Sequence, residues 1–150
     1  MNKEELFAKI DKEPDLDVGY YKGYIYKIRR NEEMLNYCGY IFIPHDHPSF
    51  ALIENDYQVD DILDMHGGCT YFDYEYGYII VGFDCAHVYD IVPFDYALGH
   101  IVDGTYKDYD YVLDQIKHII NQLVKITPKK LQKEYENRVE VEYAKMYLLF

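Results

Sequence analysis

The sequence predicts an α+β domain in which antiparallel β-hairpins pack against a long helix in the C-terminal half. Three observations carry this expectation. Residues 20–30 and 37–43 alternate, are rich in Tyr and Ile, and flank six polar, turn-like residues, the pattern of an antiparallel pair. Residues 69–74 and 78–83 repeat that pattern around Glu75-Tyr76-Gly77. Between 107 and 126, Tyr109, Val112, Leu113, Ile116, Ile119, Ile120 and Leu123 recur at helical spacing and form one apolar face. The 150 residues suit a single domain, 1–150, with its core at about 20–126.

In chain order, residues 3–10 read as a short helix that ends before Pro14. Residues 20–30 read as one strand, and 37–43 as a second, stopped by Pro44. His45 to Gly68 is irregular, with room for one or two short helices around 50–64. The continuous apolar run 78–83 suits a central strand. Asp84 to Asp103 reads as a long loop, and loops of that length in compact domains tend to be functional. Thr105 or Asp108 can cap the helix 107–126, and Pro128 closes it. Residues 129–149 form a more charged helix or a helix–strand tail. The apolar end, Met146 to Phe150, docks on the core or on another subunit, so 127–150 is a candidate for self-association as a homo-oligomer.

Charge is unevenly placed. The net charge is −12, from 15 Lys and Arg against 27 Asp and Glu. Seven of the basic residues lie in 1–30 and eight in 107–150, so 31–106 has none, yet it holds 14 acids, five of six His and all three Cys. Either this span attracts a cation or a basic partner, or it is the Tyr-rich core of an acidic protein. The balance argues against direct nucleic-acid binding, since phosphates are met by Lys and Arg. An apolar fraction of 49% argues against disorder. No run is long enough for a membrane span, no leader opens the chain, and an odd Cys count suits reduced thiols in a cytoplasm.

Three clusters sit where strands meet loops: Pro44-His45-Asp46-His47-Pro48, His66-Gly67-Gly68-Cys69-Thr70, and Gly82-Phe83-Asp84-Cys85-Ala86-His87 with Asp90 beyond it. Asp84, His87, His66 and Asp90 have the donor types of a divalent-metal site, although no diagnostic ligand spacing is present. The alternative is that these side chains bond loop backbone. Cys85 beside His87 has the composition of a nucleophile and its base, or is a buried apolar residue. Gly67-Gly68 is either an anion-presenting loop or a tight turn. The tyrosines 71, 74, 76 and 78, expected on a common face, and 20, 24, 26, 37 and 40 in the first pair, can stack a planar ring or pack the sheet on its helix.

Taken in order, Arg29-Arg30-Asn31, Cys38-Gly39-Tyr40, His47-Pro48, His66-Gly67-Gly68-x-Thr70, Gly82-Phe83-Asp84-Cys85-Ala86-His87-x-x-Asp90 and Tyr109-x-Tyr111-Val112 resemble an uncharacterised family of small bacteriophage and prophage proteins. The resemblance spans about residues 20–124, and Gly-Phe-Asp-Cys-Ala-His is its specific part. Tyr78, Ile79 and Ile80 stand where that family has Trp before the string, and Cys69 replaces an aliphatic residue, which weakens Cys69 as a ligand. The resemblance implies a phage accessory protein working in the cytoplasm of an infected cell, a setting in which countering host defence is common.

Three functions follow as expectations. The first is a non-enzymatic protein that captures a small nucleotide-derived ligand with His47, His66, Gly67, Gly68, Thr70, Asp84 and His87, and with Arg29 and Arg30 meeting its phosphate. The second is a hydrolase using a divalent metal, with Asp84, His87, His66 and Asp90 as ligands. The third is an acidic decoy that occupies a basic host defence protein. The first reading needs no resident cofactor.

Overall fold

The computed structural model describes residues 1–51, 53–100 and 102–148. The first helix, α1 (Lys3–Lys12), is capped by the Asn2 side chain, which accepts the Glu5 N–H, and buries Leu6 and Ile10. Two strands follow where one was expected: β1 (Leu16–Tyr21) and β2 (Tyr24–Arg30) pair antiparallel. The break is the Lys22-Gly23 turn, whose residues have φ of 46° and 88°. Two successive left-handed residues match the twist of a hairpin, and Gly takes that conformation without strain. The Tyr-rich alternation on both sides masked this turn in the sequence.

The remaining strands are β3 (Tyr37–Pro44), β4 (Tyr71–Glu75) and β5 (Tyr78–Asp84). Their order is β1-β2-β3-β5-β4, with every pair antiparallel. β5 is interior as its apolar run suggests, and the middle position belongs to β3. Between β3 and β4 the chain makes a 3-10 turn, Pro48–Phe50, and the short helix α2 (Asp56–Asp60), capped reciprocally by Asn55 and Gln58. The segment expected as a loop after Asp84 contains the short helix α3 (Pro93–Ala97), and a bridge from Asp90 to Thr105 closes it.

Helix α4 (Tyr109–Ile126) starts at Asp108, whose carboxylate accepts the Tyr111 N–H at 2.9 Å. Its apolar stripe, Val112, Ile116, Ile119, Ile120 and Leu123, packs on one face of the sheet against Ile28, Ile41, Ile43, Ile79, Val81 and Phe83. Each such side chain, buried fully, contributes about 1.5–3 kcal/mol. Helix α5 (Lys129–Tyr147) is helical throughout, which settles the choice between helix and helix–strand tail. It begins against the first core through Tyr135, then crosses to the opposite face, where Val139 and Met146 cover Ile25, Phe42, Tyr78 and Ile80. Met146 docks on the core while Tyr147 and Leu148 are exposed; Leu149 and Phe150 lie outside the described residues. Among the described residues no helix is long and apolar enough to cross a membrane.

Arg30 ends β2 and is only 5% exposed. Its Nε donates to Asp15 Oδ1 at 3.0 Å and its Nη1 to the Leu35 carbonyl at 3.0 Å and Tyr106 Oη at 2.9 Å. Nη2 donates to Tyr37 Oη at 2.8 Å and lies 3.5 Å from Glu13 Oε1. The guanidinium also sits 4.1 Å from the Tyr37 ring centroid. Arg30 was an expected ligand residue; its donors are committed to the fold instead. Arg30→Met is therefore expected to cost about 3 kcal/mol in urea unfolding, because the partly buried Glu13 loses its cation. Unchanged stability would show that the hub is dispensable.

Candidate functional site

The His and Asp residues of the second and third clusters do meet. His66 follows Met65 and is held to α4 by its N–H, which donates to Gln115 Oε1 at 3.1 Å. Its Nε2 lies 2.8 Å from Asp90 Oδ2 and its Nδ1 2.7 Å from Tyr111 Oη. Asp90 is 3% exposed; Oδ2 also accepts the His87 N–H at 3.0 Å, and Oδ1 faces Lys107 Nζ at 3.1 Å as a charge pair. Burial alone would raise the Asp90 pKa, but His66, the His87 N–H and Lys107 together hold it below the ordinary value. An ionised Asp90 requires Nε2 of His66 to carry a proton. Lys107 Nζ in addition contacts the Thr105 hydroxyl and carbonyl and the Tyr89 carbonyl.

This cluster is closed. Both His66 ring nitrogens have protein partners, and Asp90 is buried. It clamps the segment 84–107 to the 66–70 turn and to α4. Gly67 and Gly68 belong to the clamp as a tight turn: their φ values are 68° and 85°, and a Cβ on Gly67 would lie 2.3 Å from the His87 ring. The Gly68 N–H donates to the Met65 carbonyl and the Cys69 N–H to Asp60 Oδ1, so these groups are not offered to an anion. The exposed Thr70 donates its N–H to the Gly82 carbonyl. Asp84 pairs locally with His87, 3.2 Å from Nε2, and accepts the Ala86 N–H.

His47 is elsewhere. It is fully buried beside the α4–α5 junction, 3.0 Å from Thr127 Oγ1, and its Nδ1 accepts the Ser49 N–H at 3.3 Å. Nδ1 as acceptor makes Nε2 the donor. Thr127 Oγ1 in turn donates to the Leu123 carbonyl at 2.6 Å and accepts a hydrogen bond from the Tyr24 hydroxyl at 2.6 Å. Burial pushes the His47 pKa down and that of Tyr24 up to about 12, which suits this neutral network. His47 therefore holds the helix junction, with both ring nitrogens bonded within the protein.

The four expected metal ligands form two separate pairs, and among the described residues no three His, Cys, Asp or Glu side chains are placed to hold a metal ion. Cys85 is 2% exposed, and burial, with Asp90 and Asp84 adding to it, pushes its thiol far up, away from a reactive thiolate.

An open surface lies on the sheet face that α5 covers only in part. Lys27 and Arg29 alternate on β2 and share this face. The register Lys27–Tyr40–Gly82–Tyr71 runs as one row across four strands. Tyr40 and Tyr71 meet edge to face with centroids 5.2 Å apart. Gly82 makes this possible, because a Cβ there would lie 2.7 Å from Tyr40 Cδ1. A hollow of about 150 Å³ is lined by Lys27, Arg29, Tyr40, Phe42, Tyr71, Glu75 and Ile80. Burial lowers the Lys27 pKa, and neighbouring Arg29 lowers it further, against the pull of Glu75. Arg29 is exposed. Of the expected ligand residues, only Arg29 faces this surface as a cation.

Sequence reasoning missed Lys27 and the role of Gly82; the signal was Lys-x-Arg at strand period. It also grouped the hairpin tyrosines wrongly. Tyr71 and Tyr74 are three apart on β4 and so face opposite ways, Tyr76 is in the turn, and Tyr78 is buried. A separate cavity of about 460 Å³ beside α5 includes Arg138, but Asp46 and Glu142, each 3.4 Å away, already neutralise it.

No family model, no curated protein and no solved structure matches this chain.

Because Asp90 is held below its ordinary value of about 3.9, its contribution to stability is present above about pH 4 and is lost as pH falls through the native value. Asp90→Asn is expected to cost about 3 kcal/mol at pH 7 and to flatten the acid limb of the stability curve. Parallel acid limbs for both proteins in pH-dependent urea titrations would place the native carboxyl at its ordinary value.

Proposed function

We propose that the protein binds and sequesters a small nucleotide-derived ligand on the open half of the sheet. The phosphate rests on Lys27 and Arg29, and the ring packs against Tyr40 and Tyr71. One observation carries this reading: two cations stand side by side on one strand face, next to an aromatic pair, in a chain of net charge −12. Both positive charges attract an anion placed between them. Stacking on an aromatic contributes about 1–3 kcal/mol per base, and a hydrogen bond to a charged group about 1.5–3. Set against the cost of association, these sums suit micromolar affinity.

The ligand site thus moves from the His66–Asp84–His87 loops to the strands, while Arg29 keeps its expected role. The hydrolase alternative gains no support from the split ligand pairs. The decoy alternative rests on the net charge and on the acids spread through 46–103. The resemblance to phage proteins implies sequestration of a host signalling nucleotide as the setting for such a site.

Isothermal titration with adenosine and guanosine monophosphates and their cyclic forms is expected to show micromolar binding. Arg29→Ala is expected to weaken it about tenfold or more, and Tyr40→Leu by a similar factor. Lys145→Ala, on the other cavity, should leave it unchanged. The absence of heat from every nucleotide, at concentrations that detect micromolar affinity, would sink the proposal.

A further inference from the structure

Lys27 and Arg29 line two depressions at once. On one side is the aromatic hollow of about 150 Å³. On the other is a groove of about 470 Å³, lined by Asp15, Leu16, Arg30, Asn31, Glu32 and Leu35 with the same two cations. The two residues form a ridge between the compartments. Resting on the nucleotide reading above, we infer that the ligand is a dinucleotide, its linking phosphate on the ridge and one base on each side.

The lining of the groove selects what extends past the ridge. Asp15 is 83% exposed at its side chain, and Glu32 is exposed as well. Asp15 pairs with Arg30, but the exposed Glu32 carboxylate repels a chain of further phosphates, so a nucleoside triphosphate tail does not suit this side. Leu16, 48% exposed, and Leu35 offer apolar contact to the faces of a neutral ring. Carboxylate oxygens accept hydrogen bonds from exocyclic amino groups. Glu75 offers the same acceptor in the smaller hollow. Acceptors in both compartments favour bases that carry amino groups, such as adenine, over uracil.

The groove wall is fixed in place. Leu35 is left-handed, with φ of 67°; its N–H donates to the Asn31 carbonyl at 2.9 Å, and its carbonyl takes Arg30 Nη1 at 3.0 Å. The Asn31 side chain accepts the Glu33 and Met34 N–H groups at 3.0 and 2.8 Å. A wall formed before binding adds little ordering cost to the second base.

The test is titration of the full chain with adenosine monophosphate, linear and cyclic diadenylate, diuridylate and a 20-residue oligodeoxyadenylate. A diadenylate is expected to bind at least tenfold more tightly than the monophosphate and than diuridylate. Leu16→Asp, which adds a charge to an exposed groove position, is expected to remove that tenfold advantage; circular dichroism checks that the variant is folded. Equal affinity for monophosphate and diadenylate would overturn the dinucleotide inference and leave the nucleotide site standing. Loss of binding for all probes would overturn both. An oligonucleotide that binds more tightly than either diadenylate would overturn the inference in favour of a strand-binding surface.

Discussion

The fold depends on one buried guanidinium. Arg30 takes contacts from the ends of α1 and β1, from β3, from the chain between β2 and β3, and from Tyr106 just before α4. Taking a cation out of water costs several kcal/mol, and only full coordination offsets it. Here every nitrogen of the guanidinium has an oxygen partner. The partners are linked in turn: Tyr106 Oη donates to Glu13 Oε1 at 2.7 Å, and Glu13 Oε2 accepts the Tyr109 N–H at 2.7 Å, at the first turn of α4. The hub therefore fixes where the long helix begins relative to the sheet. In an acidic chain this cation also gathers carboxylates that would otherwise repel one another.

A second polar device works in the same way at the other end of the loops. The Gly82-to-His87 string and Asp90 hold the long segment after β5 to His66 and α4. The most specific motif in the sequence thus takes part in holding the loops together. The open sheet face is left with simpler side chains: two cations, two tyrosines and the glycine that lets the rings meet. Polar groups that are fully partnered rigidify a protein. Arg30 and Arg29, adjacent in sequence, divide between these roles because strand alternation sends them to opposite faces.

That division explains what was legible in the sequence. The α4 stripe, the Asp108 cap and three of the strands were readable, because apolar period and capping are local signals. The Lys22-Gly23 turn was obscured, since Tyr and Ile alternate on both sides of it. The site was harder. His66, Asp84, His87 and Asp90 have the chemistry of a ligand set, and no local pattern tells a partnered imidazole from an offered one. His47 sits in a loop by sequence, yet Thr127, 80 residues away, buries it. Tyr40 and Tyr71 become neighbours only through β3–β5–β4 pairing, a long-range register that composition does not carry.

The first hairpin turn also bears on how the chain reaches its native state. Gln132 Nε2 donates to the Lys22 carbonyl at 2.8 Å, and a Cβ on Gly23 would lie 3.0 Å from the Glu136 backbone nitrogen. Lys22 Nζ donates to Asn121 Oδ1 at 2.8 Å. The turn is thus fastened by two helices that lie about a hundred residues further along the chain. Closing loops of about a hundred residues is entropically slow. Until α5 arrives, β1 and β2 can pair, but their turn has no seat and the apolar face of Ile25 and Phe42 stays uncovered. Until then this hairpin is open to chaperones and to mispairing.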